Sequence, residues 1–265
     1  MSSTDSTPAS PALSPGVPPR LASAFGGIWR LTWRRVFAPA RWLPVGVLLI
    51  VLGGLTYLVA QDNDVGSFSR WTTGFFMTAL VPIVAFLSGA GAVREGLKPG
   101  AVDYLMTRPV PRPAYVVFKY VAQLGCALPI ALAGLGMMLA IGASQEVSVG
   151  VAWPRLALAM IGGVSAFLAL GFLCGAFTSR YLILGLVYAG LIEAVVGSIP
   201  IQINRLSILR HLRVIMETDG VAIFQGTAGL ASAVGILTLI TLILVGLSAA
   251  LFSTREFLGE KHKDA

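Results

Sequence analysis

The sequence predicts an all-α membrane protein with six transmembrane helices. Two observations carry that expectation. Of 265 residues, 56% are hydrophobic and only 12% charged, against about 25% charged in a soluble domain. Apolar runs of about twenty residues also follow one another along most of the chain. A soluble domain hides one apolar core but not such a succession, so this composition calls for lipid as its solvent. The formal charge of +7 contains no Lys/Arg run of five or more, and the cations fall in short stretches between apolar segments. That pattern indicates a membrane surface and argues against a nucleic-acid partner.

Residues 1–20 are rich in Ser, Thr and Pro and hold almost no large apolar side chain, so they are expected to form a disordered cytoplasmic tail. They lack the basic start and apolar stretch of a secretory signal. Over 21–42, Leu21, Phe25, Ile28, Trp29, Trp33 and Val36 share one arc of a 3.6-residue helix, with Arg30, Arg34 and Arg41 on a neighbouring stripe. Trp at headgroup depth and snorkelling Arg predict an interfacial elbow helix; a plain basic flank to the first span is the alternative.

A transmembrane domain is expected over 43–252, with spans at about 43–60, 71–93, 114–143, 155–177, 181–200 and 229–252. Each is long enough at about 1.5 Å per residue to cross a hydrocarbon layer of about 30 Å. Pro129, Gly134 and Gly136 punctuate the third span, and Pro82 the second, where a kink or tilt is expected. Ala159, Gly163, Gly171 and Gly175 recur at four-residue steps or their multiples in the fourth and predict close helix contact.

Most of the 19 Lys and Arg residues fall on one side when the amino terminus is placed in the cytoplasm: Arg20 to Arg41, then Arg94, Lys98, Arg108, Arg112 and Lys119, then Arg180, Arg255, Lys261 and Lys263. The positive-inside rule then puts both termini, including a tail at 253–265, in the cytoplasm of a cell with this chain in its inner membrane.

The segment between spans two and three, from Arg94 to Leu124, is too amphipathic and too punctuated for a plain linker. Pro99 and Gly100 can open a short helix, Ala101 to Thr107 can form about two turns, and Pro109, Pro111 and Pro113 stop it. Val102, Leu105 and Met106 would share a face. A short, preformed, half-apolar helix beneath the membrane suits docking of a soluble partner.

The run GAVDYLMTRPVPR at 100–112 resembles a motif of the ABC-2 transporter permeases. Gly100 matches the motif's glycine, Asp103 its acid, Leu105 and Met106 its apolar pair, Pro109 and Val110 its Pro-Val, and Arg112 its arginine. Lys119 matches the lysine that follows, and Glu95 the acid upstream. Leu97 to Pro99 intervene before the glycine, and Pro111 and Phe118 replace the usual Ser and Gly. The resemblance covers about thirty residues and implies a coupling helix that docks a cytoplasmic ABC ATPase. It further implies a second permease copy, and ATP and Mg bound by the partner ATPase. No G-x-x-x-x-G-K-[ST] loop occurs, so the nucleotide site is not expected in this polypeptide.

No cofactor, catalytic constellation or metal centre is expected in the chain. Cys126 and Cys174 lie in apolar segments, and His211 and His262 fall in opposite compartments. Glu193, within the fifth span, belongs either to a translocation path or to a structural or hydrated partner site. The outer 201–228 stretch carries Arg205, Arg210, Arg213 and Glu217 on a possible lid helix, read either as an outer gate or as a solvated face touching headgroups. The function expected is that of an exporter permease subunit. A non-transporting membrane scaffold is the alternative.

Overall fold

The computed structural model describes residues 21–62, 64–97, 111–147, 153–188, 207–216 and 229–254, and every regular element among them is helical. In chain order these are α1 (Leu21–Val36), α2 (Pro39–Ala60), α3 (Val65–Gly96), α4 (Arg112–Ser144), α5 (Trp153–Phe177), α6 (Tyr181–Val187), α7 (Ile208–Met216) and α8 (Leu230–Thr254). Five of them, α2 from Trp42 onward, α3, α4, α5 and α8, are long and apolar enough to cross a membrane. The span expected over 181–200 is described only as the short α6 and Tyr188; residues 189–200 lie outside the described residues.

The faces of these helices show which solvent they meet. The most apolar stretch of α5 is 67% buried, whereas those of α2 and α8 are 17% and 11% buried. Leu43, Ile50 and Leu242 stand out at 70%, 75% and 65% exposure. In water each would forgo about 1.5–3 kcal/mol of burial; against acyl chains that penalty disappears. By length and composition the chain is a multi-pass membrane protein.

Helix α5 is the centre of the bundle, and small residues explain how closely it is approached. A Cβ on Gly171 would run into the Phe86 carbonyl oxygen, and one on Gly175 would lie 2.8 Å from that of Ala90. From the other side, a Cβ on Gly89 would meet the Leu168 carbonyl. The close contact expected of these small residues is therefore made with α3 of the same chain. The opposite face of α5 receives Leu212 of α7 at Gly163 and Leu237 of α8 at Gly162.

Three local features depart from the expected boundaries. The helix expected over 21–42 ends at Val36 as α1, because Ala38 precedes Pro39 and is held extended (φ −64°, ψ 137°). Helix α3 begins earlier than residue 71, at Val65, because Asp64 caps it: its carboxylate accepts from the N–H groups of Gly66 (3.1 Å) and Ser67 (2.9 Å). Between Arg70 and Leu80, α3 is wound as a π-helix, and Val81 still donates its N–H to the Phe76 carbonyl. Pro82, which has no N–H to give, follows where the winding returns to α.

Helix α4 runs for 33 residues through Pro129, Gly134 and Gly136, matching the span expected over 114–143. Its glycines take up aromatic rings: Phe76 sits 3.2 Å from a Cβ built on Gly134, Phe68 2.6 Å from one on Gly142, and the Trp29 indole lies against Gly125. Packing of this kind holds a helix through a proline inside a membrane. α4 ends in a Schellman motif, with Val147 N–H donating to Gly142 O and Glu146 N–H to Ala143 O. Val147 is buried against Ile141, the apolar contact that accompanies such a cap.

Candidate functional site

The stretch singled out in the sequence is flanked by the end of α3 and the start of α4, and these lie side by side. A Cβ on Gly96 would be 2.8 Å from the Tyr115 hydroxyl. Pro111 stands just before α4 and Pro113 in its first turn, where a missing N–H leaves no helical bond unmade. Tyr115 also meets Phe252 at the end of α8, with ring centroids 5.9 Å apart.

Helix α1 closes the same end of the bundle. The Arg35 guanidinium pairs with Glu95 at 3.5 Å. Lys119, only 5% exposed, donates to the buried Thr32 hydroxyl oxygen at 3.3 Å. Phe25 packs edge-on to Phe118, centroids 5.4 Å apart, and Phe25, Trp29, Trp33, Phe37 and Trp42 form a continuous ladder of rings with spacings between 4.9 and 5.7 Å. With groups 46% and 24% exposed, the ion pair contributes about 0.2–1 kcal/mol and serves more to set position than stability. Lys119 differs, since a buried ammonium is costly unless it is hydrogen-bonded.

Deeper along α4, Gln123 donates to the Ser88 hydroxyl oxygen of α3 at 2.7 Å, and the Tyr120 hydroxyl donates to the Ser165 carbonyl of α5 at 3.0 Å. Tyr115, Lys119 and Gln123 recur every four residues, so a polar stripe runs from the joint into the bilayer-facing part of the bundle.

Of the residues drawn from the sequence, Glu95, Arg112 and Lys119 thus fall at one end of the bundle, with Arg112 exposed. Gly100, Asp103, Leu105, Met106 and Pro109 lie outside the described residues, as do Glu193, Arg205 and Glu217. Arg210 and Arg213 are on α7 at the other end, Arg213 exposed and Arg210 partly buried. Ser207 caps α7 by accepting from Arg210 N–H at 3.2 Å. The buried face of α7 consists of Ile208, His211, Leu212 and Ile215, packed on α5 and α8. Also outside the spans, Asp64 is held below the usual carboxylate range by hydrogen bonding from Ser67 and from the backbone of Gly66.

Thr32, Arg35 and Tyr115 were not legible as site residues. Arg35 registers in the sequence only as a basic charge, and nothing in local periodicity signals a bond between residues 87 positions apart, as Thr32 and Lys119 are. Among the described residues no three His, Cys, Asp or Glu side chains gather as a metal site. No protein-family model matches the chain, and no curated protein is significantly similar to it.

Proposed function

We propose that this chain is the membrane-spanning permease subunit of an ATP-binding-cassette transporter, an exporter in the cytoplasmic membrane with both termini in the cytosol. One observation supports this most. The helices flanking the ABC-2-like run at 100–112 end side by side, and both are bonded there to α1, through Arg35–Glu95 and Lys119–Thr32. A force applied to the intervening segment would reach three helices at once.

In this proposal the run around Asp103, with Leu105 and Met106 as its apolar face and Gly100 and Pro109 as its limits, docks a separate ATPase that binds ATP and Mg. Arg112 and Glu95 frame the docking segment, and Lys119 anchors α4 under α1. A second copy of the chain completes the pathway, since one bundle is half of a two-fold transporter. Glu193 belongs to the pathway, and Arg205, Arg210, Arg213 and Glu217 to its outer gate. The chain itself supplies no catalytic residue.

The test is ATP-dependent flux in vesicles holding the chain and its ATPase, with Asp103→Ala and Arg112→Ala as variants. Both variants should insert normally, yet lose transport while ATP hydrolysis becomes independent of the permease. Unchanged transport and unchanged ATPase co-purification in both would refute the docking role. Absence of any ATP-dependent flux from the wild-type pair would favour a scaffold.

A further inference from the structure

A cavity of about 450 Å³ opens between α2, α3 and α4, beneath the joint with α1. Its wall is almost wholly apolar, with Leu49, Leu52, Val84 and Ala131 among the lining residues, and no charged side chain among the described residues lines it. Its hydrogen-bonding oxygen and nitrogen side chains are those of Ser88 and Gln123, which meet across the α3–α4 contact. Gln123 is 91% buried, being 9% exposed. A carboxamide has a donor end and an acceptor end, and only one end of Gln123 is engaged, by Ser88. Whichever way the amide is turned, its other end has no partner among the described residues. Gln123 lies about 16 Å along α4 from Arg112, at about 1.5 Å per residue.

We propose that this cavity binds a single-chain, uncharged lipid alcohol drawn from the surrounding bilayer, with its hydroxyl on Gln123 and Ser88 and its hydrocarbon chain along the apolar wall. Three features select that chemistry. An unmade hydrogen bond of a buried amide favours a ligand with a matching polar group. The lack of any charge among the described lining residues leaves nothing there to pair with a phosphate or carboxylate headgroup. At about 30 Å³ for a water-sized group, the volume holds about fifteen such groups, which is one chain rather than the two of a phospholipid. A lone water fits less well, because polar partners lie on one wall only. Since the site lies within one bundle, binding here does not depend on the transport proposal.

The test uses the full chain in nanodiscs, without any ATPase, exposed to two photoactivatable probes of equal length: a diazirine-bearing hexadecanol and the corresponding hexadecane. Adducts are located by mass spectrometry. The alcohol should label 84–88 and 123–131, exceeding the hydrocarbon by about 3- to 10-fold, the worth of one neutral hydrogen bond. Gln123→Leu, which keeps the side-chain volume and removes the amide, should abolish that preference. Ala131→Phe, which fills the cavity, should remove labelling by both probes. Adducts spread over the outward residues Ile50 and Leu58, or an alcohol preference unchanged by Gln123→Leu, would overturn the proposal. The Leu variant decides the matter even if the Phe variant fails to fold.

Discussion

Gly89 and Gly91 lie two residues apart on α3 and face opposite situations, which makes them a matched pair. A Cβ on Gly89 would strike the Leu168 carbonyl of α5, with the carbonyl carbon at 3.2 Å and the Cα at 3.3 Å; a Cβ on Gly91 meets nothing within 4 Å. The obstacle at Gly89 is backbone and cannot rotate away. Gly89→Ala therefore forces α3 and α5 to part by about an ångström before ordinary contact is restored. Overpacking of this kind costs about 1–3 kcal/mol, offset by up to about 1 kcal/mol of better helix propensity. Gly91→Ala gains the propensity without the clash. The two variants should then differ by about 2 kcal/mol, a factor of about 30 in the folding equilibrium. Reversible unfolding in mixed detergent micelles measures it, with Gly136→Ala, also in open space, as a second control. Equal stability of the Gly89 and Gly91 variants would refute the backbone contact.

Other expectations rest on single contacts. Glu146 holds a left-handed φ of 60° at the end of α4; Glu146→Gly should stabilise the protein by about 1 kcal/mol, and a lowered thermal midpoint would contradict the assigned cap. Asp64 contributes its cap fully above its ordinary carboxylate value of 3.8, and loses it as pH falls through the depressed folded value. Amide exchange at Gly66 and Ser67, relative to mid-α3, should accelerate only below pH 3.8, and Asp64→Asn should remove that pH dependence. A double-mutant cycle of Arg35→Ala and Glu95→Gln should return a coupling of about 0.2–1 kcal/mol that fades at high salt; a salt-independent coupling would point to packing rather than charge.

Five of the six expected spans were legible because apolar length and helical rise together allow little else, and the one over 181–200 lies mostly outside the described residues. Small residues in α5 also pointed correctly to tight packing, since only they let two backbones approach as closely as Gly171 and Phe86 do. Helix limits were harder to read. Residues 21–42 look like one amphipathic stretch, and only the steric rule acting on the residue before Pro39 divides them. In α4 the span itself was legible, but the rings that fill the notches at Gly125, Gly134 and Gly142 come from α1 and α3, far away in sequence. For the candidate site, Glu95, Arg112 and Lys119 were found through a motif, but Thr32 and Arg35 acquire their roles only when α1 folds back on α4.

The same geometry divides the bundle by stiffness. α4 touches α1, α2, α3, α5 and α8, and along its length rings fill its glycine notches and side-chain hydrogen bonds from Lys119, Tyr120 and Gln123 fix its rotation. α3 and α5 are joined by backbone contacts that tolerate almost no sliding. Close-packed interfaces respond to force by moving as units rather than by deforming, so α3, α4 and α5 should displace together. Facing α3 and α4, α2 makes its looser seam with α3, and the cavity opens beside it. The Trp71 indole N–H bond to Thr56, at 3.0 Å, then ties α2 to the start of α3 at the far end of that seam. A pivot at Thr56 and an opening beneath the α1 joint follow from that arrangement: any motion of the joint should change the cavity's width before it changes the contacts of α5.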